Sequence, residues 1–208
     1  MQEKIINNDA RACKSLAELK LLAANVMDAK MGNRRFSRHI NKDGAVGGFI
    51  ENTARVQKSA HIGLKALVIE RAFVSEKASV HDEAEVSGDS WIHGRARVFG
   101  NAKVYVFAQV FGDARVYDNA RIFGDAEVFE RAKVFDNSLV FESARIHGNA
   151  EISGNSWVHG SACLKGYTKL YNQRVWKRAV FETQMELNIF FENIGKRNEF
   201  IEQFLKRG

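Results

Sequence analysis

Four histidines, His81, His93, His147 and His159, are the side chains of this chain best suited to proton transfer near neutral pH, and each directly follows an aliphatic residue. A general base needs a nucleophile or substrate proton within hydrogen-bond reach and a group that orients it. No carboxylate recurs beside these histidines in the sequence, so a solvated histidine on a repeating surface accounts for each. Cys13 and Cys163 share no CxxC spacing, which argues against a disulfide framework and a zinc ribbon. No HExxH, Gly-rich phosphate loop or nucleophile elbow occurs, and GAVGG at 44–48 reads as a chain reversal. No metal and no cofactor are expected.

The elements that carry these residues follow from one repeat. Aliphatic residues fall every six positions from Ile50 to Leu170, 21 consecutive hexads, with Gly, Ala, Ser or Thr two residues before each. An extended chain sends alternate side chains to opposite faces, so the small residue and the aliphatic point inward together and their neighbours point out. Strands this short cannot bury a face as a meander, whereas coiling in one sense stacks the aliphatics of successive turns. Three hexads, 18 residues, make one triangular coil of a parallel β-helix, and 21 hexads make about seven. Corners such as Gly100-Asn101, Gly112-Asp113 and Gly124-Asp125 suit residues that tolerate positive φ.

Units such as ARVFGN, ARVYDN, ARIFGD and ARIHGN resemble the hexapeptide repeat of the left-handed β-helix superfamily, and the expected left-handedness comes from that resemblance. The run GGFIENTARV with the monotonous units after it most resembles hexapeptide proteins of phages, prophages and enterobacteria, labelled transferases without assigned chemistry. The resemblance implies one catalytic alternative, a trimeric acyltransferase using acyl-CoA with His93, His147 or His159 at a subunit boundary. The hexads run without the inserted loop that commonly shapes such a site. His93 and His147 share a face three coils apart, roughly 14 Å at the strand spacing, and cannot cooperate within one chain. The related carbonic anhydrases need two close histidines from one chain, and no such pair stands here.

The position after the aliphatic holds aromatics in eight successive hexads. Taken every 18 residues they form ladders: Phe99, Tyr117, Phe135; Tyr105, Phe123, Phe141; and Phe111 with Phe129 between His93 and His147. Arg97, Arg115 and Lys133 flank the first ladder, and Lys103 with Arg121 the second. Stacking between coils explains one ladder; three suggest more exposed apolar area than a monomer carries. Val106-Phe107 puts an apolar pair at a corner where Gly-Asp or Gly-Asn is usual.

The ends lack the hexad. Residues 1–47 read as an amphipathic helix from Asp9 to the stop at Gly32, with Asn8 or Asp9 as N-cap, then a basic loop containing Arg34, Arg35 and Arg38. Residues 171–208 read as a long helix, a break at Gly195 and a short helix. Both ends then cap a β-helix of residues 48–170. The net charge of +6 sits in these caps, because 48–170 carries 15 basic and 15 acidic residues. Proline is absent, where average usage predicts about ten, so Pro-rich linkers are excluded. No apolar run is long enough to span a membrane, and the charged start MQEKIINNDA is no signal-peptide core, so the chain reads as cytoplasmic.

The expectation is therefore a mainly β, non-catalytic binding or scaffold protein. It works as a dimer or trimer and through a protein partner, using the aromatic faces, Val106-Phe107 and the caps. With the phage-like resemblance, its sharpest form is a phage or prophage protein that blocks a host defence protein in the host cytoplasm. Basic residues beside aromatics leave single-stranded nucleic acid as a second alternative, for which Arg34, Arg35 and Arg38 are the electrostatic candidates.

Overall fold

A computed structural model describes residues 11–22 and 25–205, and side chains as far as 196. Twenty-two strands of two or three residues, from β5 (Arg55–Val56) to β26 (Val180–Phe181), follow one another around a parallel β-helix. As far as Leu170 each pairs with the strand 18 residues away, so that Val68, Val86, Val104, Ile122, Val140 and Val158 stand in one column. The three faces hold eight, eight and seven such rungs, seven complete coils and two rungs more. We call them faces A, B and C; Val104, Val110 and Val116 lie on them in that order. Every aliphatic from Ile62 to Leu170 and nearly every small residue before it is withdrawn from solvent, giving one continuous core. Ser90 and Ser156 survive there because their hydroxyls donate to the Ser87 and Ser153 carbonyls.

Corner chemistry explains which residues the turns accept. Two positions after each aliphatic, from Glu70 to Lys177, the backbone is left-handed. Glycine takes this conformation freely, and the other corners are mostly Asp or Glu. The acids gain a bond that glycine cannot make. Glu70, Asp82, Glu130 and Glu142 accept the backbone N–H of Gly88, Gly100, Gly148 and Gly160, the same corner one coil on, at 2.7–3.0 Å. A charge-assisted bond offsets the steric cost of about 1 kcal/mol.

The column continues beyond Leu170, where the sequence reading expected helix. Between Leu170 and Val175 the spacing shortens by one residue, and then β25 (Arg174–Val175) and β26 pair with the rungs at Trp157–Val158 and Cys163–Leu164. Helix α2 (Gln184–Leu205) starts only after them, and it runs through Gly195 without a break. A reciprocal cap opens it: Thr183 Oγ1 accepts from the Glu186 N–H, and the Glu186 carboxylate accepts from the Thr183 N–H. Leu187 is fully buried, and with Phe190 and Phe191 it covers Val175 and Phe181 at the open end.

The N-terminal cap is mostly strand. A helix does form, but α1 (Leu16–Lys20) is short and capped by Ser15; the Asn8 and Asp9 caps lie outside the described residues. Strand β1 (Arg11–Ala12) precedes it, and β2 (Asp28–Met31) pairs antiparallel with β3 (Arg34–Ile40) across a turn at Gly32. Gly32 is thus a hairpin residue and the basic loop is strand β3. It pairs antiparallel with β4 (Val46–Glu51), the first rung of face A. The reversal expected near GAVGG is the Asn41–Ala45 turn. Gly48 is needed there, since a Cβ would run into the Ala66 carbonyl. The Asn41 amide then seals the first rung of face C, donating to the Ile62 carbonyl and accepting its N–H at 3.0 and 2.8 Å.

Candidate interaction surface and histidine row

The three predicted ladders form, and their geometry limits what they can bind. Phe99, Tyr117 and Phe135 stack on face C with centroids 4.8 Å apart and planes within 2°. Tyr105, Phe123 and Phe141 stack on face A, continued by His159. His93, Phe111, Phe129 and His147 make one unbroken stack on face B at 4.5–4.9 Å. The inner rings spend both faces on ring neighbours, the end rings Phe99, Phe135 and Tyr105 have a stacked ring on one side, and all of them are half-buried. Burial raises the phenols of Tyr105 and Tyr117 above the usual value for that reason. Nucleobases therefore find no free face on the inner rings of a ladder. The ladders also expose less apolar area than their composition suggests.

The flanking cations behave differently from one another. Lys133 pairs with Glu151 at 2.7 Å and Lys103 with Glu85 at 3.4 Å. Arg97 and Arg115 are exposed and register side by side on face C, as Arg121 is exposed on face A. The basic loop residues turn inward. Arg34 makes a forked pair with Glu51 at 2.9 and 2.5 Å. Arg38 is buried, stacks on the Phe49 ring at 3.8 Å and donates to the Val26, Gly47, Leu64 and Leu22 carbonyls. Only Arg35 of the three is exposed, so they make no basic patch.

Apolar surface concentrates elsewhere. Phe107 is 54% and Val106 40% exposed, at the corner between the ladders of faces A and B. Val106 holds φ 67°, a conformation that a β-branched residue rarely adopts. Its corner column reads Glu70, Gly88, Val106, Gly124, Glu142, Gly160, Lys177, and Val106 stands where an acid would bond to the next glycine. The strain therefore has no hydrogen bond to offset it. Tyr167, Tyr171, Val180 and Met185, between the last coils and the first turn of α2 in the chain, are exposed as well.

The histidines are not as isolated as the sequence suggests. Corner acids one coil back supply the missing carboxylates: Glu130 faces His147 Nδ1 and Glu142 faces His159 Nδ1, each at 3.8 Å. Cys163, which sequence reasoning passed over, puts its sulfur 3.5 Å from His147 Nε2. The 18-residue register contains that contact, because Cys163 precedes and His147 follows two paired aliphatics. Burial lowers His81, His93 and His147 below the usual imidazole value. His93 stacks on Phe111 with the Trp91 ring tilted against it, three rungs from His147. Among the described residues no group of three His, Cys, Asp or Glu side chains could hold a metal ion.

The chain's central coils match a known repeat family, described as the YdcK beta-solenoid repeat, over residues 108–122 and again over 114–128. That match lies inside the unbroken hexad run of Ile50 to Leu170. No curated protein and no solved structure matches the chain. Among the described residues no helix is long and apolar enough to cross a membrane.

Proposed function

We propose that the protein is a binding scaffold that acts through contact with other protein chains, and that the Val106–Phe107 corner is its anchor. The observation that carries this reading is the strained, exposed valine beside an exposed phenylalanine, at a corner where the two coils on either side use Gly or Glu. A solitary apolar pair on a polar edge adds nothing to the core, and its backbone costs stability. Partner burial gives both residues a role. The ladders serve as a rigid bed, since a ring fixed on two sides loses little entropy when its edge is covered. A homo-oligomer, dimer or trimer, is the first occupant to test. The finer form of the reading, a phage or prophage protein that blocks a host defence protein, draws on the resemblance of GGFIENTARV and the units after it.

Sedimentation of the wild type against a Val106→Glu/Phe107→Asp variant tests the anchor. The wild type should sediment as an oligomer and the variant as a monomer of unchanged circular dichroism. Identical sedimentation, together with identical capture of partner proteins from a host lysate, would remove the basis of the proposal. Tyr117→Glu with Phe135→Glu asks separately whether the face C ladder joins the contact.

A further inference from the structure

One group of side chains away from the Val106 corner is arranged for bond making. On face B, near the C-terminal end, Cys163 Sγ lies 3.5 Å from His147 Nε2, and Glu130 Oε2 faces His147 Nδ1 at 3.8 Å. The carboxylate is fixed by the Gly148 N–H at 2.8 Å, and the imidazole by stacking on Phe129 within 6° of parallel. A proton on Nδ1, turned toward Glu130, leaves the Nε2 lone pair for the thiol. Nucleophile, base and orienting carboxylate thus stand in one row, each from a different coil.

We propose that Cys163 is a thiol–disulfide exchange site, with His147 as its base and Glu130 as the positioning residue, and that its co-reactant is a small-molecule disulfide. The backbone decides between disulfide and acyl chemistry. The N–H groups of Arg145, His147, Cys163 and Lys165 donate to the Ala162, Leu164, Ala179 and Phe181 carbonyls at 2.8–3.0 Å, as rung bonds. None of these four remains to hold the oxyanion that acyl transfer develops. Attack on a disulfide develops no oxyanion, because the negative charge spreads over sulfur. In the step, His147 Nε2 takes the thiol proton while Cys163 Sγ attacks one sulfur of R–S–S–R. The S–S bond breaks, a Cys163–S–S–R bond forms, and the departing RS⁻ takes the proton back from His147. One disulfide and one thiol become one mixed disulfide and one thiol.

The surrounding charges support a pair that rests neutral. Burial lowers His147, opposed by Glu130 and reinforced by Arg145 and Lys165. Burial raises the Cys163 thiol, reinforced by Glu182 and opposed by the same two cations. Arg145 is itself paired with Glu127 at 2.8 Å, and Lys165 with Glu182. At neutral pH the thiol is therefore protonated and the imidazole free to accept its proton.

Reaction of the full chain with dithiobis(nitrobenzoate) tests this, in a Cys13→Ser background so that Cys163 is the single thiol. In this background the rate should climb as His147 deprotonates, hold a plateau through neutral pH and climb again as the thiol ionises. His147→Phe, which continues the Phe111–Phe129 stack, and His147→Asn, which leaves more room, should both lose the plateau and react at least about tenfold more slowly at neutral pH. Glu130→Gln should lower the plateau without abolishing it. Retained melting temperature in each variant separates lost chemistry from lost fold. A Cys13→Ser profile with a single alkaline rise, matched in rate by both His147 variants, would overturn the proposal, as would a Cys163 that the reagent modifies only after unfolding.

Discussion

The middle coils and the ends of this β-helix are stabilised by different means. Between Val86 and Val158 each rung meets a rung of the same inward composition 18 residues away, and every inward side chain is small or aliphatic. At the first rungs the repeat has nothing below it, and unlike groups complete it: the Asn41 amide on Ile62, the buried Arg38 on four carbonyls, and the Arg34–Glu51 fork. At the last rungs a helix sets Leu187 and two phenylalanines over the column. A repeat satisfies its own backbone everywhere except where it stops, so polar specificity gathers at its ends.

The largest expected contrast comes from placing one carboxylate in each region. Val116→Asp buries a charge with no partner in the middle of the column, which costs several kcal/mol, on the order of a whole domain's stability. The circular-dichroism melt should lose its cooperative transition. Val180→Asp makes the same chemical change on β26 at an exposed position, and its melt should shift by no more than about 0.5 kcal/mol. Equal effects would mean that the two rungs differ less in burial than described.

A smaller effect separates the N-terminal seal from the coils it covers. Arg38→Met keeps the stem over Phe49 but leaves buried carbonyls without their donor, at a cost of about 3 kcal/mol. Hydrogen exchange should speed up through β2 to β4 and the first coil while the rungs from Val86 to Val158 keep their protection. Uniform loss of protection would show that the seal and the column unfold as one unit.

Acid should find the same boundary. Arg34 holds the Glu51 carboxyl below the usual carboxylate range, through hydrogen bonds that outweigh burial. A carboxyl depressed in the folded state adds stability above its unfolded pKa and loses it as pH falls through the folded one. The N-terminal seal should therefore weaken below the ordinary range of glutamate, and Glu51→Gln should remove part of that dependence. Hydrogen exchange of β3 followed against pH measures it; a β3 response unchanged by Glu51→Gln would assign the acid sensitivity to other carboxylates.

The same division set what could be read from residues alone. The rungs from Ile50 to Leu170 were legible because a period of two within a period of six is local. Val175 and Phe181 were hidden by one missing residue, although their six-residue spacing and the small Ala179 kept the pattern. Strand β3 looked like a basic loop because the acceptors that neutralise Arg34 and Arg38 come from distant segments. The ladders were legible as columns, but their ring faces had to be seen stacked before the loss of binding surface was evident. Glu130, His147 and Cys163 fall 17 and 16 residues apart, so their meeting shows only when the register is followed outward as well as inward.

The smallest expected effect bears most directly on function. Within the corner column of face A, Glu70 and Glu142 each bond to the glycine one coil on at 2.7 Å, and Val106 alone forgoes such a bond to Gly124. Val106→Glu should supply it and remove a β-branched residue from the left-handed region, raising stability by about 1 kcal/mol. Glu142→Val, the mirror change, should lower it by a similar amount, which a pair of urea melts resolves. If both hold, the native valine is less stable than an acid already used twice in its own column, and its retention beside an exposed Phe107 is explained by contact. Measured at a protein concentration where both chains are monomeric, a Val106→Glu variant that melts no higher than wild type would leave the valine as an ordinary corner residue and take the anchor from the proposed interface.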